Sequence, residues 1–374
     1  MPPTNPESNL ETNQLLVLDP GFEKELERKL PELVTLKRLA RSLDGRARVK
    51  VEAMVERNGR NFPIISVVMG SEDPAAPSLG IFGGVHGLER IGSDVVIAWM
   101  QSLNETMEWD ESVKERLKKS RLVFMPIVNP VGIFELTRSN GNGVDLMRNS
   151  PVRAEEPPAF MLGGQQISNR LPWFSPPVFK NGDMEIESQA LCRLVEREMF
   201  KSKCALTVDV HSGFGAVDRF WFPWAKTKSA PPHLEEIVAL KRLFDRSYPN
   251  HFYQIEPQAK SYTTHGDLWD WLYEQHIVEE KKELREGVPA HVYVPFTLEL
   301  GSWLWLKKNP RQIFSSLGAF NPIQPHRIKR ILRRHVTLFD FLHRAVISSE
   351  PWMVLDEVTR AQLRRRATEQ WYSE

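Results

Sequence analysis

Four short runs that are apolar almost throughout constrain this chain most: Ser78 to Val85 (SLGIFGGV), Arg121 to Val128 (RLVFMPIV), Ala205 to Val210 (ALTVDV) and Tyr293 to Leu300 (YVPFTLEL). Such runs, rich in Val, Ile, Leu and Phe, are the pattern of strands covered on both faces. Helical spacing recurs between them, from Ile91 to Lys118 with a break expected near Asn104, then from Glu187 to Phe200, Leu234 to Arg246 and Leu268 to Val278. Buried strands alternating with helices predict an α/β sheet with helices on both faces. In such sheets the functional groups gather at strand ends.

The flanks extend this frame. Val49 to Val55 and Phe62 to Met69 read as two further strands, and Asn58-Gly59 between them predicts a hairpin. Leu26, Leu30, Leu33, Leu36 and Leu39 mark a leading helix or a broken pair interrupted at Pro31, and the first 14 residues are polar and expected to be disordered. Near the end, Ile328, Ile331, Leu332, Val336, Phe339 and Leu342 share one helical face; the Arg-rich opposite side reads as the solvated face of a docked helix. Residues 150–182 carry many Pro and Gly and no period, and are expected to form a long functional loop near a site. The division expected is a polar tail and helical extension over 1–47, one catalytic domain over 48–348, and a C-terminal helical extension over 349–374.

Composition excludes several classes. Lys and Arg number 49 against 48 Asp and Glu, a net charge of +1, which argues against nucleic-acid binding through bulk charge and against a polybasic membrane-surface protein. Cys192 and Cys204 are the only cysteines, too few for a disulfide scaffold or a Cys-rich zinc site, so a metal would have to be held by His and carboxylates. No apolar run reaches the roughly 18 residues of a membrane span, and the opening MPPTNPESNLETNQ has neither a basic nor an apolar leader region, so a cytoplasmic location is expected. Oligomeric state is not legible.

Chemistry concentrates where the apolar runs end. In IFGGVHGLER, Gly83-Gly84 permit a tight turn after the strand, and His86 with Glu89 three residues on can be aimed at one cation. LTVDVHSGFG places His211 at the mouth of another strand; it would complete three protein ligands with a fourth position open, as in catalytic zinc sites. In PFTLELGSW, alternation sets Phe296, Leu298 and Leu300 on one face and Thr297 and Glu299 on the other. Glu299 is then either an edge charge or a general base. The turn-rich RSNGNGVDLMRN offers Arg138, Asp145 and Arg148, which near a zinc site can stabilise an oxyanion or clamp a carboxylate.

Together these motifs, in this order, resemble the zinc carboxypeptidases of the carboxypeptidase A and B type, over roughly residues 50 to 345. His-x-x-Glu appears as His86 and Glu89, the later His-Ser as His211-Ser212, and Asn-Pro-x-Gly as Asn129 to Gly132. FTLEL, and Tyr262 followed by Asp270, Trp271 and Tyr273, match as well. The resemblance implies a single α/β domain with a mixed, mostly parallel twisted sheet. It implies one zinc ion (Zn2+) on His86, Glu89 and His211, Asp145 as acceptor for the ring of His86, and Glu299 as the base acting on a metal-activated water. Arg138 would polarise the scissile carbonyl, Arg148 would bind the terminal carboxylate, and Tyr262 would close over it. Two departures stand out. Met147 replaces the family's Asn, for which Arg153 or Asn169 could substitute, and Trp269 falls where the pocket for the terminal side chain is set and would shorten it. The function expected is hydrolysis of a C-terminal peptide bond; the alternatives are an amidohydrolase acting on N-acyl amino acids and a non-catalytic member that binds peptide ends or metal. The expected partner is a peptide or N-acyl amino acid with a free carboxylate, with no nucleic acid and no membrane.

Overall fold

A computed structural model describes residues 19–178, 183–286, 291–315 and 317–373. The tail over 1–14 and the last four residues of the 150–182 loop lie outside the described residues. In chain order come helices α1 (Pro20–Lys29) and α2 (Pro31–Ser42), strands β1 (Ala47–Arg57), β2 (Arg60–Gly70) and β3 (Ser78–Gly83), and helices α3 (Arg90–Trp109) and α4 (Glu111–Lys119). Then follow β4 (Arg121–Met125), α5 (Pro130–Glu135), α6 (Ile186–Met199), β5 (Cys204–Ser212), β6 (Arg219–Phe222), α7 (Leu234–Ser247), β7 (Gln254–Pro257), α8 (Leu268–Arg285) and β8 (Val292–Leu300). The chain continues through α9 (Trp303–Lys308), α10 (Pro325–Arg334), α11 (Val336–Ile347), α12 (Glu350–Met353) and α13 (Glu357–Ala367).

The eight strands form one mixed sheet in the order β1-β2-β4-β3-β5-β8-β6-β7. Its centre, β4-β3-β5-β8, is parallel, and antiparallel pairings join β2 to β4 and β6 to β8. The sheet is covered on both sides, as buried strands require. One layer packs α1 to α5, α7, α11 and the C-terminal helices on Leu79, Ile81, Leu206, Val208, Phe296 and Leu298. The other packs α6 and α8 on Phe82, Val123, Ala205 and Tyr293. The leading leucines and the C-terminal Trp352, Leu363 and Ala367 belong to the first layer's core rather than to separate bodies.

Local chemistry accounts for the places where pattern reading erred. The helical stretch after Ile91 breaks at Asp110, not Asn104, because Asp110 caps α4 by accepting from Ser112 N at 2.8 Å. The C-terminal apolar face belongs to two helices that meet at His335. Strands β6 and β7 have four residues each, too short for their pattern to stand out in the sequence. The hairpin at Asn58-Gly59 forms as the dipeptide predicts, both residues having positive φ.

Candidate active site

Three of the four central parallel strands, β3, β5 and β8, deliver the site from their C-terminal ends. His86 and Glu89 lie on the turn between β3 and α3, His211 near the end of β5, and Glu299 near the end of β8, in register with His211. The first turn needs its glycines. Gly84 has φ +65°, and a Cβ on Gly87 would stand 2.0 Å from the backbone of Gly132. That close neighbour is the Asn-Pro-x-Gly turn: Asn129 accepts from Gly132 N at 2.8 Å and donates to Val85 O at 3.2 Å, bracing the loop that carries His86.

Ligand atoms of His86, Glu89 and His211 lie within 4.8 Å of one another, all three residues buried. His86 Nδ1 is 2.9 Å from one Glu89 oxygen and His211 Nδ1 is 3.0 Å from the other, to which Ser212 N also donates. Protons on the rings, or one cation shared by the three groups, satisfy these contacts equally. Two imidazole nitrogens and a carboxylate oxygen are the donor set of a catalytic zinc ion. The outer ring nitrogens are held as well: His86 Nε2 lies 2.9 Å from Asp145 Oδ1, and His211 Nε2 lies 2.6 Å from Asp209 Oδ2. Carboxylates behind both rings favour the tautomer with Nδ1 free for a metal. Arg138 adds an opposing demand, its Nη2 lying 3.0 Å from His86 Nε2, so the role of that nitrogen depends on the ring's tautomer.

Burial pushes the Glu89 carboxyl upward, but His86 and His211 outweigh it and hold the group well below the usual carboxylate range. Asp145 is also held low: burial is overcome by Arg138, which donates from Nε at 2.9 Å, and by His86. Glu299 goes the other way, pushed up to about 8 by burial and then by the negative Glu89.

A cavity of about 440 Å³ opens over these groups, lined by His86, Glu89, Arg138, Arg148, His211, Tyr262 and Glu299 among others. Trp173, Phe214, Trp221, Trp303 and Phe320 make much of its wall. The long loop contributes Leu162, Pro172 and Trp173, and so lies at the site. Arg148 is only 3% exposed, and its guanidinium donates to the carbonyls of Met147 and Leu162 at 3.0 Å each. It has no ion pair among the described residues. Met147 also lines the cavity, whereas Arg153 and Asn169, the two suggested replacements for the missing Asn, do not.

Trp269 corrects the sequence reading. It does not line the cavity. Asp267 caps α8, accepting from Trp269 N and Asp270 N at 3.0 Å each, and the indole packs on Phe82 and donates to Asp209 Oδ2 at 2.8 Å. It therefore supports the carboxylate that holds His211. The sequence reading assigns Asp209 no role; its signal there is an Asp inside an apolar strand two residues before a candidate ligand, hence on the same face of the sheet.

Known proteins match both sequence and fold. The model of the family described as zinc carboxypeptidase matches residues 21–302. Carboxypeptidase E of Caenorhabditis elegans is 29% identical over 141 residues, covering 34% of this chain and 27% of that protein, so the match spans only about a quarter of the relative's length. Two solved structures share the fold. Carboxypeptidase A from Helicoverpa armigera superposes with TM-score 0.60 at 16% identity, covering 85% of this chain and 72% of the other. Thrombin activatable fibrinolysis inhibitor gives TM-score 0.59 at 17% identity, with the same coverage. With most of its length matched by the family model and a His-Glu-His cluster at the central strand ends, this chain belongs to the zinc carboxypeptidase family.

Proposed function

We propose that this protein is a zinc-dependent metallocarboxypeptidase that hydrolyses the C-terminal amide bond of peptides. The observation that carries the reading is Arg148: a buried cation without a carboxylate partner, in the wall of the cavity whose floor is the His-Glu-His cluster. Among the described residues this guanidinium donates only to carbonyls and feels Asp145 and Asp267 only at a distance, so the terminal carboxylate of a substrate can supply the direct ion pair.

His86, Glu89 and His211 would hold the zinc ion, which when bound supplies a Lewis acid and lowers the pKa of water. Asp145 and Asp209 fix the two imidazoles. Glu299, ionised, takes the proton of the attacking water and passes it to the leaving amine. Arg138, anchored through Nε on Asp145, keeps its Nη atoms beside the cluster, placed to stabilise the oxyanion of the scissile carbonyl. Tyr262, whose phenol is kept protonated by burial, donates over the bound end. Gln258 lines the same cavity and would supply the amide that Met147 lacks. Among the described residues Glu89 and Glu299 are the only carboxylates in the lining and both have roles, so the aromatic wall should take apolar terminal side chains in preference to Lys or Arg.

The test is metal analysis of the purified protein, followed by a screen of peptides and N-acyl amino acids that vary the terminal residue. Stoichiometric zinc with release of apolar C-terminal residues from peptides is expected. Turnover confined to N-acyl amino acids would move the protein to the amidohydrolase reading, and zinc without turnover of either class would reject both.

A further inference from the structure

The surface beyond the cavity mouth breaks the charge balance of the rest of the molecule. Between Glu299 and Asp340 the chain has eight Lys and Arg residues and no Asp or Glu, although its net charge is only +1. Six of these cations, Lys307, Lys308, Arg311, Lys329, Arg330 and Arg333, are exposed. None of the six forms an ion pair with a described residue. The other two are engaged: Arg334 lies over Phe252 and 3.4 Å from Asp218, and Arg327 donates to the carbonyl of Trp305 at 3.4 Å, tying α10 to α9. Elsewhere cations are commonly matched, as in Arg48 with Glu198, Arg57 with Glu135, Arg90 with Glu32 and Arg364 with Glu235. A one-signed stretch of this kind sets up a directed field.

The same stretch exposes large apolar side chains. Trp303 is 53% exposed, Ile313 66%, Phe314 91% and Ile323 46%. Single exposed apolar residues need no explanation, but here they are interleaved with the unpaired cations.

We propose that α9, the turn Pro310–Phe314 and α10 form a docking surface for an anionic lipid bilayer. Ile313 and Phe314 enter the headgroup region, and the cations of α9 and α10 meet lipid phosphates. Nucleic-acid phosphates would pair with the same cations, but they would leave Ile313 and Ile323 in water. A bilayer satisfies both sets. Trp303 connects this surface to the site, lining the cavity while its Nε1 donates to Gly213 O at 2.9 Å. Docking therefore holds the cavity next to the lipid, where a tethered peptide end is concentrated. The near-zero net charge is an average over a segregated surface, and it does not exclude a membrane partner as the composition alone implied.

The experiment is co-sedimentation of the full chain with phosphatidylcholine vesicles, with and without phosphatidylglycerol. Binding is expected only to the anionic vesicles and should weaken as ionic strength rises. Lys329→Glu/Arg330→Glu/Arg333→Glu should cut partitioning more than about tenfold, and Ile313→Ser/Phe314→Ser about tenfold with the salt dependence kept. Far-UV circular dichroism of both variants checks that they fold. Absence of anionic-vesicle binding overturns the proposal. So does unchanged binding by the Ile313→Ser/Phe314→Ser variant, or single-stranded DNA binding more tightly than vesicles without any need for those two side chains. The readout is binding alone, so its failure is distinguishable from failure of the hydrolytic reading.

Discussion

The floor and the wall of the cavity handle charge in opposite ways. On the floor every ionised group meets its complement: Glu89 lies between His86 and His211, Asp145 takes His86 and Arg138, and Asp209 takes His211 and Trp269. On the wall, Arg148 donates, among the described residues, only to the carbonyls of Met147 and Leu162. A region that keeps its ligand can close its own electrostatics and stay rigid. On the proposed function, the wall exchanges its ligand at each turnover and so has to leave a charge unanswered.

This contrast can be broken from either side. The largest effect should come from Glu299, the base of the proposed reaction: Glu299→Gln should lower kcat by about 10²–10⁴-fold with zinc content unchanged by elemental analysis. On the wall, Arg148→Gln should raise KM for peptides with a free terminal carboxylate by about 10²-fold, leave zinc in place, and barely affect C-terminally amidated peptides. On the floor, Asp209→Asn should weaken zinc binding by about 10–100-fold in chelator competition. Trp269→Phe should follow it in direction with a smaller change. Proton dependence gives the finest comparison. Burial and then Glu89 push Glu299 up to about 8, and as the proposed base it must be ionised, so kcat/KM should fall as pH drops through its pKa. A bound cation favours the carboxylate, so this acid limb should lie below pH 8 in the zinc-loaded enzyme and vanish in Glu299→Gln.

Long buried strands made the fold and the ligand cluster legible in sequence, because strand-end position converts directly into spatial convergence. Strands β6 and β7 are not legible in the sequence: four residues give too short a period to distinguish from loop. Trp269 shows a different limit. Motif spacing places a residue along the chain, but the capping geometry of Asp267 aims the indole at Asp209, beside His211 rather than into the cavity. Asp209 was hidden by its own strand, where an acid among apolar residues reads as an interruption until its partners are seen.

The register of β5 against β8 carries a consequence for assembly. His211 pairs with Glu299, and a slip of one residue would bring Leu298 or Leu300 alongside the histidine and turn the carboxylate to the opposite side of the sheet. Parallel strands far apart in sequence pair late and slowly. If the proposed hydrolysis holds, its recovery during refolding reports the final alignment of these two strands, and a mispaired species with near-native helix content would be silent in that assay.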